Sequence, residues 1–137
     1  MNRIARLLVC SLLLFVAACS GLPSKLNPRD DALTEYGVAL RWNEFDQAQA
    51  FIDPAVRLRQ PMSDLERERL KQIQITGYEV KSSLSTADGS IEQTAEIRLI
   101  SKNTQIERIV SDHQVWRWDT ESKRFWLTSG LPDFSAQ

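Results

Sequence analysis

Beyond residue 75, apolar and polar residues alternate with the period of two that is typical of strands. Residues 75–84 predict a first strand, which the turn sequence Ala87-Asp88-Gly89 ends. One face of the next predicted strand carries Ile91, Gln93, Ala95, Ile97 and Leu99. Residues 104–118 and 124–129 predict two further strands. Four sequential strands on short connections predict an antiparallel meander.

Before residue 75, the apolar residues recur near the period of about 3.6 residues that is typical of helices. The pattern predicts one helix over about 31–43, capped by an aspartate at its start, and a second over about 44–52. Asn43 is a plausible break between the two helices. Pro54 must end the second helix, because proline cannot continue one.

Two short elements are predicted between these helices and the sheet. Residues 55–60 alternate between apolar and polar, which predicts a short strand. Ser63 and Glu66 then form a capping-box pair that opens a charged helix to about residue 73. Helices therefore precede the sheet without alternating with its strands. This order predicts an α+β domain over residues 30–137, with N-terminal helices packed on a curved antiparallel meander.

The chain begins with the parts of an export signal. Arg3 and Arg6 supply a positive start, and residues 7–18 are almost entirely apolar. A helix of these residues would be roughly 18 Å long, which is too short for a hydrocarbon core of about 30 Å. A cleaved signal is therefore favoured over a membrane-spanning helix.

The end of this signal, Val16-Ala17-Ala18-Cys19, resembles the lipobox of bacterial lipoproteins. The resemblance implies cleavage after a signal peptide of residues 1–18 and attachment of lipid, including palmitate, to Cys19. Ser20 implies sorting to the periplasmic face of the outer membrane in a Gram-negative host. Residues 19–29 would then be the lipidated cysteine and a flexible tether. A plain secretory signal is the alternative.

Composition excludes several kinds of site. The formal charge is −1, and without residues 1–18 the chain has 15 basic and 18 acidic residues, so no basic surface for nucleic acid is expected. Cys10 would leave with the signal and Cys19 would carry lipid, so no free thiol would remain. His113 is the single histidine. We therefore expect no cofactor and no metal site, with coordination by carboxylates alone as the alternative.

The order of elements is similar to that of the NTF2-like (cystatin-like) α+β proteins. Residues 41–48 look like the end of that family's first helix and the bend after it. Residues 115–118 and 125–127 look like its last two strands. The resemblance implies a cone-shaped pocket, which some relatives use for isomerisation or dehydration and others only to bind. It also implies a surface for a homodimer, since other relatives dimerise through the outer face of the sheet.

The last predicted hairpin is rich in aromatic residues. Trp116 and Trp118 lie two residues apart and share a strand face, and Trp126 is on the adjoining strand. Together with Tyr78, they are the candidate residues for binding a ligand or a partner. The alternative is that these side chains pack in the core beneath the helices.

Asp112 and His113 are the one adjacent carboxylate and imidazole. They cannot act in one pocket unless the strand is bulged, because neighbouring strand residues face opposite sides. Asp112 shares a face with Trp116 and Trp118, so we expect it to point inward with a raised pKa and His113 to point outward. Asp112 is therefore the one candidate for a catalytic base. The alternative is a polar residue at the rim.

The lipobox and the lack of a catalytic set favour a non-enzymatic lipoprotein of the cell envelope. Its partners would be the membrane, through lipid on Cys19, and an envelope protein or a small apolar ligand. The alternative is a small isomerase or dehydratase that uses Asp112 as general base. A purely structural role, without a pocket, is a third interpretation.

Overall fold

The structure, a computed structural model, describes residues 27–135. The predicted signal peptide, Cys19 and most of the tether lie outside these residues. The described elements are, in chain order, α1 (Pro28–Arg41), α2 (Phe45–Gln49), α3 (Pro54–Arg59), α4 (Asp64–Lys71), β1 (Ile73–Ser85), β2 (Ile91–Ser101), β3 (Glu107–Asp119) and β4 (Arg124–Leu127). The prediction of class α+β is confirmed.

The strands form one antiparallel sheet in the order β1-β2-β3-β4, which confirms the predicted meander. β1 starts two residues earlier than predicted and contains two irregularities, between Ile75 and Gly77 and between Val80 and Ser82. The turn before β2 holds Gly89 at a φ of 82°, a conformation that glycine adopts without strain. β4 is shorter than predicted.

Helix α1 begins three residues before the predicted start. The side chain of Asn27 accepts a hydrogen bond from the backbone N–H of Arg29, and Pro28 occupies the first turn, where its missing N–H costs nothing. The buried face of α1 comprises Ala32, Tyr36, Gly37, Ala39 and Leu40. This face packs on the inner side of the sheet, where the Tyr36 ring meets the Trp116 ring edge-on at 5.3 Å between centroids.

The predicted break at Asn43 is confirmed. Asn43 has a φ of 61°, in the left-handed region that ends the helix. Its side chain also ties the break to β1: Nδ2 donates to the carbonyl of Ile73, and Oδ1 accepts from the N–H of Ile75, both at 3.0 Å. The second helix, α2, is shorter than predicted, because Ile52 leaves it to make a bridge with Leu127.

The predicted strand over residues 55–60 is wrong, since these residues form helix α3. The carboxylate of Asp53 caps this helix by accepting a hydrogen bond from Ala55 N–H at 2.7 Å, and Pro54 is in its first turn. These two helix-starting signals outweigh the short alternation of the side chains. The predicted capping box of Ser63 and Glu66 is confirmed at the start of α4.

Asn43 provides a test of how the end of α1 is held against the sheet. Asn43→Gly keeps the left-handed backbone but removes two hydrogen bonds, so we expect the free energy of unfolding to fall by about 2 kcal/mol. Asn43→Ala adds left-handed strain of about 1 kcal/mol. Urea unfolding measures both variants, and equal stability of the two would contradict the role assigned to the backbone.

Candidate functional site

The polar groups of five side chains meet on the inner face of the sheet. They belong to Tyr78 of β1, Gln93 of β2, and Asp112, Gln114 and Trp116 of β3. We call them the polar cluster. The register places Gln93 directly opposite Gln114. Three members of the polar cluster (Gln93, Asp112 and Gln114) are buried polar residues on a face that is otherwise largely apolar.

Gln114 is the centre of the polar cluster. Its Nε2 donates to Asp112 Oδ2 at 2.7 Å and to the Tyr78 hydroxyl at 2.8 Å. Its Oε1 accepts from Trp116 Nε1 at 3.1 Å and from Gln93 Nε2 at 3.0 Å. All four hydrogen-bonding positions of this amide are therefore used.

Trp116 determines which way both glutamine amides point. The indole N–H is only a donor, so the Gln114 atom that faces it must be the oxygen. Nε2 of Gln114 then faces Asp112, and the Gln93 atom that meets Gln114 Oε1 must be the nitrogen. The orientations of the two amides are therefore consistent with each other and with the Trp116 donor. Assigning each amide separately would not ensure this consistency.

Asp112 lies on the inner face, as the alternation predicted, and is 4% exposed. Burial raises the pKa of its carboxyl to about 6, although the hydrogen bond from Gln114 and the nearby His113 act in the opposite direction. His113 is exposed on the outer face, where its Nδ1 lies 3.1 Å from Thr94 Oγ1. The two residues therefore do not form one acid–base pair.

Tyr36 places a further hydroxyl in the core. This hydroxyl is fully buried and has no hydrogen-bond partner among the described residues. Burial raises the pKa of Tyr36 well above its ordinary value, and the charge of Asp112 raises it further. The helical period places Tyr36 on the buried face of α1 but says nothing about what its hydroxyl meets.

The three tryptophans of the last hairpin do not form one aromatic wall. Trp116 is fully buried, which fits core packing. Trp118 is 42% exposed and packs on Phe125 at 5.1 Å between ring centroids. Trp126 pairs with Arg117, which faces away from the core, and the Arg124 guanidinium lies 4.0 Å from its ring centroid.

The outer face of β1 and β2 carries charge rather than a cavity. Lys81 contacts Glu79 at 2.9 Å and Glu96 at 3.6 Å. Arg98 contacts the same two carboxylates at 3.2 and 3.5 Å. These four residues form an exposed ion-pair network of the kind that contributes little to stability.

One cleft lies at one end of the sheet. This end cleft has a volume of about 650 Å³ and is bounded by α3, α4, the start of β1 and residues 129–135. Its apolar lining includes Ile52, Val56, Met62, Leu70, Leu131 and Phe134. Phe134 is held there by the Phe45 ring, 5.6 Å away between centroids, and by Arg108, which donates to its carbonyl at 3.1 Å.

A second cleft, the α1–β1 groove, runs between the first helix and the first strand. Its volume is about 600 Å³, and Tyr78 and Gln93 are part of its lining. A third, smaller cleft lies beside Asn43 and Lys71. Asp112 and the three hairpin tryptophans line none of these three clefts. Of the predicted site residues that the structure describes, Tyr78 is thus the one that lines any of these three clefts.

Residues 27–135 contain no group of three or more histidine, cysteine, aspartate or glutamate side chains arranged to hold a metal ion. Within the same residues, no helix is both long enough and apolar enough to cross a membrane. Comparisons with protein-family models, with curated proteins and with solved structures find no match to this chain. The site must therefore be interpreted from its own geometry.

Asp112→Asn should stabilise the fold at neutral pH. The pKa of Asp112 is about 6 in the folded chain, against about 3.9 when unfolded, so its protonated form contributes stability below about pH 4 that is lost as pH rises through 6. The loss is roughly 3 kcal/mol for two pKa units. Asparagine cannot ionise, so its advantage in urea unfolding should be large at pH 7.5 and absent near pH 4. Equal stabilisation by Asp112→Asn at pH 7.5 and at pH 4 would contradict the raised pKa of the buried carboxyl group.

Proposed function

We propose that this chain is a lipid-anchored, non-catalytic binding domain of the bacterial cell envelope, and that its end cleft binds a small, mainly apolar molecule. The observation that carries the proposal is the end cleft itself. Its volume of about 650 Å³ falls within the range of about 300–1,000 Å³ that is usual for small-molecule sites. Its lining combines apolar side chains with polar and charged ones, among them Glu66, Arg69, Arg108 and Asp133.

The lipobox supports the anchor. Two or three acyl chains on Cys19 would hold the chain stably to a bilayer, since each buried methylene contributes about 0.8 kcal/mol. Pro28, where α1 begins, lies nine residues beyond Cys19 in the sequence, a distance that the chain can span to at most about 32 Å. The domain would therefore work close to a membrane, at the periplasmic face of the outer membrane in a Gram-negative host.

The NTF2-like cone belongs to the same proposal. Its support is the order of elements, with four helices followed by an antiparallel meander, and the packing of α1 on the inner face of the sheet. In such a fold, a cleft between the sheet, the short helices and the C-terminal segment is a natural ligand site. Fold alone does not decide function, so we infer binding from the end cleft and not from the fold.

An isomerase or dehydratase that uses Asp112 as general base is the second candidate. A pKa of about 6 favours it, because a base is most effective when its pKa is near the working pH. Against it, Asp112 lines none of the three clefts, and Oδ2 is bound to Gln114. The enzyme would require Asp112→Asn to abolish turnover of a substrate while the chain stays folded.

Cys19→Ser tests the anchor. Serine has no thiol to acylate, so we expect the chain to move from the membrane fraction to the soluble fraction or to accumulate as uncleaved precursor. Metabolic labelling with a palmitate analogue and fractionation of the envelope measure both outcomes. Cys10→Ser is the matched control and should leave labelling unchanged. Labelling that survives Cys19→Ser would contradict the proposed anchor.

A pair of variants on α3 tests the end cleft. Val56 lines it, whereas Leu58 on the same helix is 84% exposed and does not. We expect Val56→Asn to lower the retention of a bound molecule by about tenfold, because roughly 1.4 kcal/mol of apolar contact is lost. Leu58→Asn should leave the retention of the bound molecule unchanged.

Mass spectrometry identifies the small molecules that co-purify with each variant. The chain is purified in polymer nanodiscs, so that no detergent can occupy the cleft. The informative molecules are those depleted in Val56→Asn relative to Leu58→Asn, because bulk lipid is common to both preparations. If no molecule shows this difference while both variants stay folded, the end cleft is not a small-molecule site.

A further inference from the structure

Two members of the polar cluster, Tyr78 and Gln93, each leave one polar group without a hydrogen bond from or to a described residue. The Tyr78 oxygen accepts from Gln114 Nε2 at 2.8 Å and from Gln93 Nε2 at 3.4 Å, and no described residue accepts its O–H. Gln93 directs its nitrogen at Gln114, and its Oε1 accepts no hydrogen bond from a described residue. Both residues line the α1–β1 groove, so an unused donor and an unused acceptor belong to one cleft.

The lining of the groove also includes several apolar side chains. Leu33 and Val38 of α1 lie on one side and Val80 of β1 on the other, and Trp42 is 73% exposed beside them. Gly37 lets the Tyr78 ring approach α1 closely, because a Cβ at residue 37 would lie 2.8 Å from Tyr78 Cε1. The groove thus combines a fixed tyrosine, a neighbouring glutamine and apolar walls.

We propose that the α1–β1 groove binds an extended peptide segment of a partner protein, through the backbone of one residue with an apolar side chain. The N–H and C=O of an extended residue point to the same side, as in a hydrogen-bonded strand pair. The C=O accepts from the Tyr78 hydroxyl, and the N–H donates to Gln93 Oε1. The apolar side chain packs against Val38 and Val80.

This site is distinct from the end cleft in its lining and in its ligand. The orientation of Gln93 gives the specificity, because Trp116, through Gln114, requires the Gln93 nitrogen to face Gln114 and so leaves the Gln93 oxygen as the group that can accept. A ligand that offers only an acceptor would leave this oxygen unsatisfied. The groove therefore favours an amide over an ester of the same shape.

The test uses the full chain in phospholipid vesicles and a photoreactive probe, the N-acetyl N-methylamide of photo-leucine. We expect saturable labelling of peptides from 28–42 and 78–85, located by mass spectrometry. Unlabelled N-acetyl-L-leucine N-methylamide should compete with the probe. Its depsipeptide analogue, in which an ester oxygen replaces the leucine N–H, should compete roughly tenfold less well, because it cannot donate to Gln93.

Tyr78→Phe removes the donor but keeps the ring against Gly37, and labelling should weaken by roughly tenfold. Tyr36→Phe is the matched control, since this hydroxyl lines none of the three clefts, and labelling should persist. If the amide and the depsipeptide compete equally well with the probe for the unsubstituted chain, the proposal is overturned. This comparison does not depend on the folding of any variant. Labelling confined to residues 129–135 would also overturn it, while leaving the end cleft as a binding site.

Discussion

The packing of α1 against the inner face of the sheet is the contact on which the rest of the structure depends. Tyr36 and Leu40 are fully buried in it, and the Tyr36 ring meets Trp116 edge-on. The Asn43 side chain fixes the end of this helix to β1 through two hydrogen bonds. Helix α1, held in this way, forms one wall of the α1–β1 groove, and two of the short helices that follow it bound the end cleft.

The same contact encloses polar groups, which is costly unless they are hydrogen-bonded. Gln114 meets most of this demand by joining Asp112, Tyr78, Gln93 and Trp116. Asp112 still has a raised pKa, and the Tyr36 hydroxyl has no described partner. The chain therefore keeps polar groups in its core at some cost in stability. On our account, the structural benefit is a defined orientation of Gln93 and Tyr78 in the α1–β1 groove.

Local sequence patterns predicted the helices and strands well where no second sequence signal pointed to a different structure. Alternation placed the strands and put Asp112 inward, Asn43 marked the helix break, and Ser63 with Glu66 marked the start of α4. The pattern failed over residues 55–60, because a short alternation is weaker than the cap from Asp53 and the proline that follows it. The site was harder to predict. Gln93 and Gln114 meet because of strand register, and the end cleft depends on how residues 129–135 fold back on distant helices.

The proposed function has two parts, a lipid anchor on Cys19 and a small molecule in the end cleft. Native mass spectrometry of the chain released from the envelope tests both parts in one spectrum. We expect the mass of the polypeptide from Cys19 onward plus two or three acyl chains, with a further small molecule that is lost on collisional activation. A mass equal to the unmodified polypeptide, with no acyl chain and no dissociable molecule, would contradict the proposed function.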